Sequence, residues 1–277
     1  MNIRAYMFNI QRVILMQKKK IFMYIIVILL VIGICISFIY IFNFNKPEDK
    51  TENDIPEVTE PLVEKLYSYL PENETGLQSM YVGYYTTFNN IGSDIIQSMI
   101  YEYVLNYERD SIENVTTEDM EVNSITINGV NYNPSSKIKV TVFSDIFPLM
   151  FGKEATFNAR DFRYSYNISV RLNETKDYYY IYENIDYQNN VNDIIFRDIN
   201  KYAVTDNGET IEIYDYYLKC DLNNNNCYND ERKAKLNNQI KYTSDFNIEN
   251  YKDDLVIYKH SFKYDNGNYY WFSSELA

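Results

Sequence analysis

Cys220 and Cys227 bracket Asp-Leu-Asn-Asn-Asn-Asn, between two strand-like segments. Outside a reducing compartment, two cysteines this close suit a disulfide closing a hairpin loop, with a pair of free thiols as the alternative. The same loop sets Asp221, Asn223 and Asn225 at the spacing of the first ligands of an EF-hand. However, its sixth position is Asn226 where a Gly is needed, and its twelfth is Arg232 where a bidentate Glu belongs. An exposed polar turn is therefore expected there. His260 is the single histidine, followed by Ser261 inside Tyr-Lys-His-Ser-Phe-Lys-Tyr, and no G-x-S-x-G elbow occurs. It reads as a strand residue and not as the base of a nucleophilic triad. Clustered His and Cys ligands of zinc spacing are missing, as are phosphate-loop and dinucleotide fingerprints. Neither a metal nor a cofactor is expected, and no catalytic residue is assigned.

Two weaker features remain. Tyr178-Tyr179-Tyr180, Tyr182, Tyr269, Tyr270 and Trp271 could stack on sugars or peptides, although strand packing accounts for them more simply. Paired carboxylates could hydrolyse a glycosidic bond, which requires a cleft with acids ~5–10 Å apart and a raised pKa. With 39 acids, the sequence gives no ground for choosing two. Composition discounts both features. The chain has 30 Tyr, 34 Asn and 33 Ile against 8 Gly and 6 Pro, the imprint of an A/T-rich genome, such as that of a Gram-positive bacterium. The four N-x-S/T sequons, at Asn73, Asn114, Asn167 and Asn173, are the number that chance predicts for this composition.

The elements that would position these residues begin with a membrane anchor. Residues 21–44 contain no charged side chain and, as a helix, would span roughly 36 Å, enough to cross a ~30 Å hydrocarbon layer. The run is too long for a signal peptide, lacks a small-x-small cleavage site, and carries Ile34 before Cys35 where a lipoprotein needs a small residue. An uncleaved signal-anchor is expected. Residues 1–20 hold Arg4, Arg12, Lys18, Lys19 and Lys20 and no acid, so the tail is cytoplasmic by the positive-inside rule and the rest extracellular. Removing those five positive charges from the formal −13 leaves −18 beyond residue 20. Such a surface repels nucleic acid and anionic headgroups. The partners to expect are the membrane itself, through an integral helix, and a protein or cell-wall component outside. Gly33 and Ser37 also form a small-xxx-small pair that could pack an accessory subunit's helix on another membrane protein.

Size and single anchoring resemble those of sortases, the cysteine transpeptidases of Gram-positive walls. There the nucleophile follows Thr-Leu-x-Thr, with the catalytic His upstream. Here Cys220 follows Tyr-Leu-Lys, and His260 lies downstream of both cysteines, so the resemblance ends at size and anchoring.

Residues 45–60 are acidic and carry Pro47 and Pro56, which reads as a flexible stalk. Residues 61–277 are expected to form an extracytoplasmic α+β domain, or two subdomains splitting near 145–160. Pro61 opens an amphipathic helix with Leu62, Val63, Leu66 and Leu70 on one face. Residues 77–88 fit either a helix or, slightly better, extended chain. A helix capped by Ser93 or Asp94 should run to about Arg109. Strands are expected at 124–127, 137–143, 161–170, 177–183, 201–205, 210–219, 255–264 and 268–272. Asn128-Gly129, Asn207-Gly208 and Asn266-Gly267 are hairpin signals. A short helix, capped by Ser144 or Asp145 and stopped by Gly152, interrupts the strands, with Pro148 in its first turn. Helices first and hairpins later suggest one curled, mainly antiparallel sheet with helices on one face, in a cystatin-like or nuclear transport factor 2-like (NTF2-like) arrangement. The expected function is a binding or scaffolding surface domain. The alternatives are the carboxylate hydrolase and the accessory subunit.

Overall fold

Asn-Gly pairs turn two of this chain's hairpins. In the computed structural model Asn128 and Gly129 have φ of 52° and 81°, and Asn266 and Gly267 have 48° and 103°. Glycine and short polar residues adopt this region most readily, and paired positive φ matches the twist of a two-residue hairpin. The third pair, Asn207-Gly208, sits in a four-residue connection where Asp206 also has positive φ. The structure describes residues 55–277 except 117, 118, 120–122, 188–191, 234 and 235. The basic tail, the apolar run 21–44 and the stalk as far as residue 54 lie outside the described residues. Among the described residues no helix is long and apolar enough to cross a membrane.

The chain is α+β, with four α-helices and two antiparallel sheets among the described residues. The helices are α1 (Glu60–Tyr67), α2 (Glu74–Met80), α3 (Ser93–Tyr107) and α4 (Val140–Phe151). The first sheet joins β1 (Thr86–Thr87), β13 (Asn268–Leu276), β12 (Val256–Asp265), β9 (Thr210–Asp221), β10 (Asn226–Tyr228) and β11 (Leu236–Lys241) in that order, with β8 (Asp193–Thr205) also paired to β9. The second joins β2 (Ile112–Asn114), β4 (Val130–Lys139), β7 (Tyr178–Glu183), β6 (Ile168–Leu172) and β5 (Phe162–Arg163), with β3 (Ile125–Ile127) on β4. One hydrophobic cluster draws on both sheets and all four helices, and Ile55–Ala277 form one compact unit. At its centre, α3 is buried continuously from Ile95 to Val104, including Gln97, Ser98 and Glu102. A helix enclosed on every side cannot show the one-sided polarity of a surface helix.

Several expectations need correcting. The strands form two sheets in place of one curled sheet, because β2–β7 pair among themselves before β8 starts a second set. Residues 140–143 begin α4 and are not strand. Their β-branched Val140, Thr141 and Val142 suggest extension, but Phe143, Ile146, Phe147, Met150 and Phe151 place a buried face at helical spacing. Pro148 consequently falls inside α4, beyond its first turn. The segment 161–170 is not one strand: Tyr164–Asn167 turn the chain between β5 and β6. Residues 77–88 divide, with α2 running to Met80 and Thr86-Thr87 pairing as β1 on β13. Gly92 occupies the N-cap of α3, one residue before the expected caps, and makes no side-chain capping bond. Ile55 and Val58, assigned to the stalk, pack against the core.

Candidate functional site

Alternation along Ile211-Glu212-Ile213-Tyr214-Asp215-Tyr216-Tyr217 turns Ile211, Ile213, Asp215 and Tyr217 to one face of β9, all fully buried. A carboxylate on an inward strand face must find partners, because an unpaired buried charge is very costly. Register supplies them. His260 on β12 lies opposite both Ile213 of β9 and Ser274 of β13, so the three side chains converge on the inner face. His260 Nε2 is 3.0 Å from Asp215 Oδ1, and His260 Nδ1 is 2.6 Å from Ser274 Oγ. The Asp215 carboxylate accepts, so Nε2 is the donor to it, and Nδ1 shares a hydrogen bond with the Ser274 hydroxyl. Trp271 Nε1 in turn donates to Ser274 Oγ (2.9 Å).

This is a serine–histidine–aspartate relay, and the sequence reading missed it because the members lie far apart and Ser261 was the serine tested. The legible signal was Asp215 at an inward position of an otherwise apolar alternation. Chemically the relay is sealed. Ser274, His260 and Asp215 are all fully buried, and the Ser274 oxygen is occupied by the indole N–H. Acyl transfer requires a carbonyl to reach that oxygen beside oxyanion donors, and this arrangement has no room for one.

The other oxygen of Asp215 ties the helical layer to the sheet. Oδ2 accepts from Tyr67 at the end of α1 (2.8 Å) and from Tyr81 just after α2 (2.5 Å). Burial raises both phenol pKa values, with Asp215 raising them further, so both stay donors. Arg197 of β8 lies 4.0 Å from Oδ2, donates to the Pro71 carbonyl (2.6 Å), and covers the rings of Tyr67 and Tyr81. Tyr81 also stacks on Tyr217 at 4.5 Å. Beyond it, Glu231 accepts from the Tyr217 hydroxyl and from Lys219 (2.6 Å). Lys219 and Lys233 then share Asp193, at 3.3 Å and 2.7 Å. Burial raises the Glu231 pKa against the opposing effect of Lys219.

A third buried acid, Glu102 of α3, accepts from the Glu72 N–H (3.0 Å), Asn73 Nδ2 (3.3 Å) and the Tyr164 hydroxyl (3.2 Å). Burial pushes its pKa up to about 7. A nearby recess of about 250 Å³ is lined by Tyr67, Glu72, Leu77, Ile195 and Arg197, without Glu102. The paired-carboxylate geometry of a glycosidase is not assembled there.

The open surface lies elsewhere. A groove of about 510 Å³ runs past Thr75, Gln78 and Ser79 of α2 to Glu231, Arg232 and Lys233. A second lobe of about 210 Å³ shares Ser79 and Arg232 and continues past Tyr84, Tyr85 and Asn90. Tyr84 and Tyr85 are 63% and 50% exposed, high for aromatic rings on a domain that buries Tyr69, Tyr81, Tyr101 and Tyr179. The Arg232 guanidinium sits over the Tyr84 ring at 5.5 Å and has no carboxylate partner among the described residues. Glu231 reaches this groove, but both of its oxygens are engaged.

No family model, no curated protein and no solved structure matches this chain.

The residues singled out in the sequence are placed as follows. Cys220 and Cys227 face each other across β9 and β10 and are joined as a disulfide. Asp221 accepts from the Asn223 N–H, Asn224 Nδ2 and Lys233 Nζ, so its carboxylate is used within the turn. Tyr179, Tyr269 and Trp271 are buried in the core, and Tyr180 and Tyr182 form a smaller cluster with Tyr132. Reducing the Cys220–Cys227 bond should lower stability by roughly 2–3 kcal/mol, from the loop-closure entropy regained by the unfolded chain. Urea titrations with and without dithiothreitol measure this, and coincident curves would refute it.

Proposed function

We propose that this chain is a single-pass protein of the cell membrane, with its tail inside and its α+β domain outside, and that the domain binds a ligand and does not transform one. The observation that carries the reading is the contrast between the two polar assemblies. The relay with catalytic residue types is closed to solvent, whereas the groove that is open presents tyrosine rings and an arginine without converging carboxylates. The charge-free run 21–44, its basic flank and the acidic remainder support the topology. The Cys220–Cys227 bond is of the kind that persists in oxidising compartments.

Two experiments test this. Protease shaving of intact cells should release fragments from residues 61–277, and their protection would overturn the topology. For binding, the full chain in mild detergent should be retained saturably by isolated cell envelopes, and the Tyr84→Ala/Arg232→Ala double variant should be retained at least tenfold less. Retention that never saturates, or that the variant leaves unchanged, would overturn the binding reading.

The sealed relay makes a separate prediction. A fluorophosphonate probe should leave native Ser274 unlabelled over hours, under conditions that label a known serine hydrolase in minutes. Stoichiometric labelling of Ser274 in folded protein would turn the reading towards an enzyme.

A further inference from the structure

We propose that the groove between α2, the turn at Val82–Tyr85 and the segment Glu231–Lys233 takes an uncharged oligosaccharide; this rests on the reading of the domain as a binding module. The rings come first. Tyr84 and Tyr85 are adjacent and at least half exposed, in a turn where Gly83 has φ of 77° with open space around its Cα. Exposing two large rings side by side forgoes the burial that stabilises tyrosines such as Tyr69, Tyr81, Tyr101 and Tyr179. Tyr107, Tyr166 and Tyr202 are also exposed, but none of them has an exposed tyrosine as its chain neighbour. The Arg232 guanidinium over the Tyr84 ring steadies that ring, and its exposure leaves surface for a ligand. Sugar rings present C–H faces that pack on such surfaces, while their rims carry hydroxyls.

The groove wall matches those rims. Thr75, Gln78, Ser79, Thr86 and Asn90 line it with hydroxyls and amides. Gln78 Nε2 already donates to Glu74, the Ser79 and Thr86 hydroxyls donate to backbone carbonyls and Asn90 is engaged within its turn, so these side chains offer a ligand mainly their remaining acceptor capacity. The Thr75 hydroxyl and the phenols of Tyr84 and Tyr85 make no hydrogen bond among the described residues, so they are free to meet a ligand. Ile95 in one lobe and Val82 and Ile91 in the other add apolar surface against which the C–H faces of sugar rings can pack. The larger lobe, about 510 Å³, lies within the ~300–1,000 Å³ of small-molecule sites. Because both lobes share Ser79 and Arg232, a ligand filling them is elongated, as a short sugar chain is.

Charge selects against polyanions. The part of the chain beyond residue 20 carries −18, and against that field the groove offers Arg232, with Lys233 already paired to Asp193 and Asp221. One free guanidinium can hydrogen-bond a sugar hydroxyl, but it does not offset the repulsion of a chain of carboxylates.

The test uses the full chain in a polyoxyethylene detergent, since maltoside detergents would compete. Calorimetric titration with cellohexaose, chitohexaose and hexagalacturonate separates neutral from anionic sugars. At least one uncharged hexamer should bind saturably, and hexagalacturonate at least tenfold more weakly. Tyr84→Ala and Tyr85→Ala should each weaken binding about tenfold and Arg232→Gln several-fold. Tyr202→Ala, exposed elsewhere, should change nothing. Unchanged Trp271 fluorescence in each variant shows that the fold is retained. Failure of both uncharged hexamers to bind, equal binding of hexagalacturonate, or indifference to Tyr84→Ala and Tyr85→Ala would each overturn the proposal. If the hexamers fail while saturable envelope retention persists, the ligand class is wrong and the binding reading stands. Loss of native envelope retention would remove both.

Discussion

Replacing Asp215 by Ala should lower the stability of the domain by about 3–5 kcal/mol, the range for breaking a buried, hydrogen-bonded charge cluster by removing one member. The substitution strands four groups at once. The hydroxyls of Tyr67 and Tyr81 and His260 Nε2 lose their acceptor, and Arg197 loses the one carboxylate within 4.0 Å of it among the described residues. Against a usual total of ~5–15 kcal/mol, such a loss leaves the fold marginal. Asp215→Asn keeps one oxygen to accept but turns an amide donor towards donors, so it should recover only part of the loss. Trp271 is the only tryptophan, is buried, and donates to Ser274 in the same cluster, so its fluorescence reports this site during urea unfolding. A midpoint for Asp215→Ala within 1 kcal/mol of native would show that the cluster contributes little. If the Ala variant does not accumulate, the Asn variant still gives a measurable midpoint.

The second large effect is one of pH. Burial is the main cause that lifts the Glu102 pKa from 4.5 to about 7; neighbouring Glu72 raises it too, while the Glu72 N–H, Tyr164 and Arg197 pull the other way. Between those two values the folded chain holds a proton that the unfolded chain has released. Stability from this group is therefore fully present below about pH 4.5 and is lost as pH rises through about 7. The shift corresponds to ~3 kcal/mol across that window. Glu231, raised by burial as well, adds a slope of the same sign. Melting measured from pH 5 to pH 8 should show a progressive fall, opposite to the usual behaviour of paired carboxylates. Glu102→Gln, whose amide can keep one acceptor towards the Glu72 N–H and donate to the Tyr164 oxygen, should flatten most of the slope. A native melting temperature that is constant or rising over this range would refute the assignment.

Local chemistry explains which elements were legible in advance. Pro61 at the first turn of α1, the apolar face of that helix and the two-residue Asn-Gly turns all act through backbone restrictions or short-range periodicity. Failures came where tertiary packing outweighed local preference. Val140-Thr141-Val142 favours extension by itself, yet the aromatic face from Phe143 to Phe151 is buried only if those residues continue a helix. At 161–170 a continuous strand pattern conceals a turn, because Asn167 and its neighbours carry no glycine to mark it.

The candidate site divides along the same line. Neither the groove nor the relay is encoded by a motif. Tyr84 and Arg232 lie far apart in sequence and meet because α2 and the Glu231 segment pack together, with the Glu231 N–H donating to the Tyr81 carbonyl (2.8 Å).

The amino-acid sequence alone determined the two-residue Asn-Gly turns, which stretches are apolar, and how charge is divided on either side of the run 21–44. These depend on backbone sterics and on composition within a few tens of residues. Only the tertiary structure decided that Asp215, His260 and Ser274 meet and are sealed while Tyr84 and Tyr85 remain outside. That outcome depends on the register among β9, β12 and β13 and on which helices cover their inner face, and spacing along the chain does not specify it.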